Sequence, residues 1–163
     1  TGSSMVVGHM SLDPNGPLCP CGNRGCFELY SSATALVKYV KSKIKSFPSS
    51  TLITPGNTEL TAKKIYEEAL KGDSLALDGM NHVATYLGIG IANLINIFNP
   101  EAVVIGGGLS QADKLLFPKI KEIVKERAMK GLKEKVKFIA VKEQSRIAAL
   151  GAARIARDRF ATG

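Results

Sequence analysis

The sequence predicts a helix-rich α/β domain built around a short parallel sheet. Three observations carry that expectation. The chain has 163 residues and is 45% hydrophobic, enough for one compact core. Residues 74–98 carry apolar side chains around most of a helical circumference, as a central buried helix would. Two short runs rich in β-branched residues, 102–105 and 136–141, each lead into a helical pattern, and the order strand, helix, strand, helix implies a parallel pair in one layer.

The elements follow in order. Residues 8–25 are rich in Gly, Pro and Cys and read as a loop. Ser31 or Ser32 can cap a helix with Leu36, Val37, Val40 and Ile44 on one stripe, and Phe47-Pro48 ends it. A connecting loop over 48–60 leads to a short helix from Thr61 to Lys71, stopped by Gly72. Asp73 offers an N-cap for the helix over 74–98. Within it, Gly88 and Gly90 each cost roughly 1 kcal/mol relative to Ala, so a close approach by another backbone is the expected compensation. The strand over 102–105 runs into Gly106-Gly107-Gly108, a charged helix covers 113–130, a second strand 136–141, and a last helix 147–160.

The formal charge of +8 is concentrated between Lys114 and Lys142, where lysines alternate with Glu122, Glu126 and Glu134 as on solvated helix faces. Only Phe117 and Phe138 are aromatic within that stretch, too sparse for the successive stacking platforms of a single-strand surface, which disfavours nucleic acid. Such Lys/Glu richness is also compatible with a heat-tolerant source. No stretch reaches the roughly 20 apolar residues of a membrane span, and a basic-then-apolar leader pattern is lacking, so the expectation is a soluble, cytoplasmic protein.

All three cysteines fall within one short segment, Cys19-Pro20-Cys21-Gly22-Asn23-Arg24-Gly25-Cys26, with His9 upstream. Three thiols cannot complete an even disulfide scheme, and clustered reduced thiols argue for metal. Zinc takes four nitrogen or sulfur ligands in a tetrahedron, and His9, Cys19, Cys21 and Cys26 supply that set. Gly22 and Gly25 provide the backbone freedom that a tight Cys-x-Cys needs. The alternative is three ordinary buried cysteines and a loop histidine. His82, the other histidine, falls in a helix and is read as unrelated.

Gly8-His9-Met10, the run Gly16-x-x-Cys19-x-Cys21-Gly22-x-x-Gly25-Cys26-x-Glu28, Gly72-Asp73, Asn99-Pro100-Glu101-Ala102-Val103-Val104-Ile105-Gly106-Gly107-Gly108 and Leu150-Gly151-Ala152-Ala153 together resemble the ROK family. That family, named for repressors, open reading frames and kinases, includes the bacterial ATP-dependent glucokinases. The resemblance runs from residue 7 to residue 158. It implies part of an actin-like ATPase fold with an RNase-H-like lobe: residues 1–30 as the zinc-binding loop region and 31–163 as the carboxyl-terminal α/β lobe of a sugar kinase, the amino-terminal lobe being absent. It also implies that Glu28 hydrogen-bonds sugar hydroxyls and that His9 binds structural zinc through one ring nitrogen while presenting the other to the sugar. Gly106, Gly107 and Gly108 match the turn beside the adenosine of ATP. Read without the family, Glu28 caps the helix that begins near Ser31, and the glycine triplet is a strand-to-helix turn.

Three departures accompany the resemblance. The Asp-x-Gly-x-Thr and Gly-Thr-Gly phosphate loops and the catalytic base would lie upstream of residue 1, so these 163 residues alone are expected to be catalytically inactive. Val6 stands where the family usually places a sugar-binding glutamate in Glu-x-x-His, which favours residues 1–6 being non-native. Glu143-Gln144-Ser145-Arg146 is more charged than the corresponding kinase loop.

Three functions compete. The first is the carboxyl-terminal piece of an ATP-dependent hexose kinase acting on a sugar such as glucose, with ATP and Mg²⁺ used by the intact parent. The second is the sugar-sensing module of a ROK repressor, and the third an isolated zinc-containing interaction domain. Zinc knuckles that bind RNA place the histidine between cysteines, unlike this spacing. Removing a packed lobe exposes apolar surface, so homo-oligomers are expected.

Overall fold

The computed structural model describes residues 6–52, 59–132, 134–141, 149–155 and 157. A short 3₁₀ turn, Val7–His9, opens a loop that ends at α1 (Glu28–Ser31), followed directly by α2 (Ala33–Lys43). Of the two serines that could cap α2, Ser32 does so, accepting from the Ala35 amide at 3.1 Å, while Ser31 donates its hydroxyl to the Phe27 carbonyl. Next come α3 (Ala62–Leu70) and α4 (Ser74–Phe98). Thr61 caps α3 through the Lys64 amide and Asp73 caps α4 through the Ala76 amide. Asn99, in the left-handed conformation, terminates α4.

The strands β1 (Ala102–Ile105) and β2 (Lys137–Ala140) are joined by α5 (Asp113–Arg127) and pair in parallel, with Val103 opposite Phe138 and Val104 opposite Ile139. This is the crossover that parallel pairing requires. Residues 149–155 and 157 are helical, within the span expected for a last helix. The four-residue loop at 143–146 lies outside the described residues.

The core gathers on α4, which packs chiefly against α5 and also against α1, α2 and α3. Leu36 and Val40 of α2, Ile65 of α3, Leu75, Val83 and Ile95 of α4, and Leu116 and Ile120 of α5 are fully enclosed. Side chains, rather than the expected neighbouring backbone, fill the glycine notches of α4. A Cβ on Gly88 would stand 2.6 Å from the Ile123 Cβ, with one backbone oxygen, that of Ile120, at 3.3 Å. A Cβ on Gly90 would stand 2.5 Å from the Phe27 ring. The difference is physical: ridges of neighbouring side chains pack into grooves, and a glycine deepens the groove without bringing helix axes into contact.

Along the outer side of α2 and α4, His82 stacks on Tyr39 at 3.7 Å and Tyr30 stacks on Tyr86 at 4.4 Å. His82 is therefore an aromatic packing residue, and the Tyr39 hydroxyl donates to Asp78 at 2.9 Å beside it. Among the described residues, no helix is long and apolar enough to cross a membrane.

Candidate functional site

The loop from Val6 to Phe27 buries few apolar side chains, Cys19, Cys26 and Phe27, and is shaped by backbone hydrogen bonds. The Leu12 amide donates to the Gly25 carbonyl (2.8 Å), the Gly25 amide to Pro17 (2.9 Å), the Cys19 amide to Asn23 (2.7 Å) and the Phe27 amide to Met10 (2.8 Å). Two isolated antiparallel bridges, Ser11 with Cys26 and Leu18 with Arg24, fold the loop back on itself. Gly25 has φ +60°, and a side chain there would run into the Asp13 carbonyl, so this turn requires glycine.

This folding brings together the four residues singled out from spacing. One potential ligand atom from each of His9, Cys19, Cys21 and Cys26 lies within 4.8 Å of every other. The Cys19 Sγ is 3.7 Å from the His9 Nδ1, and the Cys21 Sγ is 3.6 Å from the Cys26 Sγ. Those separations exceed the roughly 2.05 Å of a disulfide. They match the roughly 3.5–3.8 Å edges of a tetrahedron whose arms are zinc–sulfur and zinc–nitrogen bonds of about 2.3 and 2.0 Å. The donor set thus fits a tetrahedral ion after a contraction of at most about 1 Å on the longest edge.

The electrostatics point the same way. Burial, reinforced by the neighbouring Cys19 and Cys21 thiols, pushes the Cys26 thiol up to about 12. Cys19 is also raised: the Cys21 amide favours its thiolate, but burial and the thiol of Cys21 outweigh that pull. Cys21, with the Asn23 amide directed at it, is lowered. Three thiolates this close repel one another, and a divalent cation is the group that makes all three stable at neutral pH.

Glu28, the first residue of α1, joins the cluster from its open side. Its Oε1 lies 3.4 Å from the His9 Nδ1 and accepts from the Cys19 thiol at 3.4 Å. It does not cap the following helix, whose cap is Ser32. Both side chains of the His9–Glu28 pair are about two-fifths exposed, so they remain reachable from solvent. With Nδ1 turned toward the thiols, Nε2 is the ring nitrogen left for a ligand. Val6, three residues before His9, is exposed and contributes its carbonyl to the His9 amide at 3.2 Å.

The glycine triplet lies at the end of β1. Gly107 has φ +92°, and Ser110 fixes the turn: its amide donates to the Gly107 carbonyl at 3.0 Å, and its hydroxyl lies 2.8 Å from that oxygen and 2.7 Å from the Val141 carbonyl. A Cβ on Gly108 would meet the Cβ of Ala33, the first residue of α2, at 3.9 Å. The turn therefore stands one short helix away from Glu28, although the two are far apart in sequence. Three residues that organise these features were not singled out from sequence: Phe27, which seats Cys26 and Glu28 against α4; Asn23, whose side-chain amide donates to the His9 carbonyl at 3.3 Å; and Ser110. A lone buried phenylalanine between a cysteine and a glutamate was the available signal for the first.

A model of the ROK family matches residues 1–159. The chain belongs to the ROK family. It is 35% identical over 161 residues to a glucokinase of Thermotoga maritima, covering 98% of this chain and 51% of that protein. It is 40% identical over 123 residues to a putative xylose repressor of Caldicellulosiruptor sp., covering 75% of this chain and 31% of that one. In fold it matches the crystal structure of a ROK family glucokinase from Streptomyces griseus in complex with glucose and AMPPNP, with a TM-score of 0.82 and 30% identity over 93% of this chain and 51% of that one. This ROK chain thus spans about half the length of these glucokinases and about a third of the repressor.

Proposed function

We propose that this ROK chain is the carboxyl-terminal, sugar-binding and nucleotide-facing portion of an ATP-dependent hexose kinase, with glucose as its sugar. The observation that carries the reading is the close approach of Gly108 to Ala33 at the start of α2, which puts the glycine turn one short helix, α1, away from Glu28 and the His9 that pairs with it. A donor and an acceptor of phosphate would meet at such a place. The glucokinase complex with glucose and AMPPNP supports both ligands.

His9, Cys19, Cys21 and Cys26 would hold a structural zinc ion, whose contribution is to fix the loop and neutralise the thiolates. With Cys19 held as a thiolate it has no proton to donate to Glu28, and the carboxylate is free to accept from sugar hydroxyls. His9, holding the ion through Nδ1, would keep Nε2 as a donor that orients the same sugar. The turn at Gly106, Gly107 and Gly108 would hold the adenosine of ATP, with the Mg²⁺, the phosphates and the general base left to other parts of the kinase. The chain tested alone should bind ligand without turnover.

A second reading has its own support: the identity to the putative xylose repressor makes this the sugar-sensing module of a regulator. Calorimetric titration of the full-length protein with glucose, xylose and Mg·ATP separates the two. Binding of glucose together with Mg·ATP supports the kinase, binding of sugar without nucleotide supports the regulator, and binding of none refutes both. Val104 and Ile139, paired across the sheet and 59% and 47% exposed, form an apolar patch that self-association would cover. Sedimentation equilibrium of the intact protein reads this directly, and a monomer at high concentration overturns it.

A further inference from the structure

The loop holds its three thiols unequally. Cys19 and Cys26 are buried, whereas Cys21 is exposed. Cys26 is also fixed from both sides: it bridges Ser11, and the Phe27 that follows donates its amide to Met10 at 2.8 Å and sets its ring against Gly90 of α4. Cys21 stands instead near the tip of the hairpin closed by the Leu18–Arg24 bridge, where residues 20–24 are all exposed. Gly22 turns there with φ +92°, and a Cβ on it would meet no atom within 4 Å, so this tip projects into open space.

Distance names the partner of the exposed thiol. The Cys21 Sγ lies 3.6 Å from the Cys26 Sγ, and a relative movement of about 1.5 Å would close that gap to the roughly 2.05 Å of a disulfide. The projecting tip can supply the movement while Cys26 stays in place. Cys19 faces elsewhere, with its Sγ 3.7 Å from the His9 Nδ1 and 3.4 Å from the Glu28 Oε1. A solvent-accessible thiol poised beside a second, resolving thiol is the arrangement that peroxides oxidise selectively.

We propose that Cys21 and Cys26 form a redox switch, in which a hydroperoxide joins them as a disulfide and the zinc ion is released. The Cys21 thiolate attacks one peroxide oxygen and the O–O bond breaks; the departing oxyanion takes a proton from solvent, and Cys21 is left as a sulfenic acid. The Cys26 thiolate then attacks the Cys21 sulfur and displaces hydroxide, which leaves as water after taking a second proton. Two electrons pass from the thiolate pair to the peroxide. With hydrogen peroxide, two thiolates, one peroxide and two protons give one disulfide and two waters. Only His9 and Cys19 of the four donors then remain, half of the set that zinc requires. A dithiol reductant reverses the change. The inference rests on the zinc reading above and deepens it by making retention of the ion depend on redox conditions.

The test uses the full-length wild-type protein, loaded with zinc and treated with hydrogen peroxide. A chromophoric chelator follows the ion, and peptide mass spectrometry locates the crosslink. Release of about one zinc per chain should keep pace with formation of the Cys21–Cys26 disulfide, and dithiothreitol should restore zinc binding. Dimedone added with the peroxide should label Cys21 ahead of Cys19 and Cys26. Zinc retained through the treatment, zinc released without that crosslink, or first labelling at Cys19 or Cys26 overturns this inference and leaves the zinc reading standing. A protein that neither contains zinc nor takes it up removes both.

Discussion

Gly90 couples the interior of the fold to the candidate site, and Gly90→Ala should expose that coupling. The new Cβ would lie 2.5 Å from the Phe27 Cε2 and Cζ and 2.9 Å from its Cδ2. Ordinary carbon contacts fall near 3.5–4.0 Å, so the ring must retreat by about 1 Å. Phe27 is 8% exposed and enclosed, so the retreat strains its surroundings at about 1–3 kcal/mol. Against this, alanine gains about 0.8–1.0 kcal/mol of helix propensity. The net expectation is a loss near 1 kcal/mol, or a Tm lower by roughly 2–4 °C for a chain of this size. The larger effect is on the site. Phe27 separates Cys26 from Glu28 and its amide holds the Met10 carbonyl, so moving it shifts a thiol, the carboxylate and the segment next to His9 together. Zinc affinity should fall about 10–100-fold, the range seen when supports of metal ligands are disturbed. Competition with a chromophoric chelator measures the affinity, and circular dichroism with excess zinc measures Tm. Gly151→Ala is the control, because no atom lies within 4 Å of a Cβ there. Should Gly90→Ala raise Tm as the control does, with zinc affinity unchanged, the proposed coupling is wrong.

If zinc occupies the cluster, removing it with a chelator should raise amide hydrogen exchange across residues 6–27 while leaving α4 and α5 protected, since the loop buries few apolar side chains of its own. Asp73→Ala should cost about 1–2 kcal/mol in urea denaturation, because Asp73 caps α4 and also accepts from the Thr51 amide at 2.6 Å and the Ser50 hydroxyl at 2.9 Å; Asp73→Asn should lose less. Burial opposes the Asp73 charge but these donors overcome it and lower its pKa, so this stabilisation is present above about pH 3.8 and is lost as pH falls through the lower folded value. His82 has the mirror behaviour for a base: burial lowers its pKa, Asp78 pulling it up and Lys43 adding to the lowering, so the folded protein binds fewer protons than the unfolded chain. Stability should therefore hold above about pH 6.5 and decline as pH falls below it, and His82→Phe should flatten that decline in a series of melting curves.

The elements most legible in the sequence were those whose ends carry their own chemistry. Gly72 and Asp73 mark the end of α3 and the start of α4 because a stop or cap satisfies orphan backbone groups within a few residues, a purely local interaction. The convergence of His9, Cys19, Cys21 and Cys26 was legible for a similar reason: these potential ligands fall within one short loop, and glycine marks the turns that close it. What could not be read was partnership across distance. Neither the Ile123 side chain opposite Gly88 nor the Phe27 ring opposite Gly90 leaves a trace in the local pattern, because a glycine notch says that something enters without saying what.

The two notches also explain how remote parts of the site keep a fixed relation. Successive helix residues are turned by about 100°, so Gly88 and Gly90 open on nearly opposite sides of one turn of α4. Through Gly88 the helix receives Ile123 of α5, the helix that follows the glycine turn; through Gly90 it receives Phe27, which anchors Cys26 and Glu28. One rigid turn of α4 is thus gripped between the supports of the metal loop and those of the glycine turn. A displacement on one side is transmitted through close-packed side chains, with little compliance to absorb it. That gives the three glycines of this largely apolar helix a mechanical meaning: each notch gives up helix propensity in return for a contact, and two of the contacts tie opposite walls of the candidate site to a common spine.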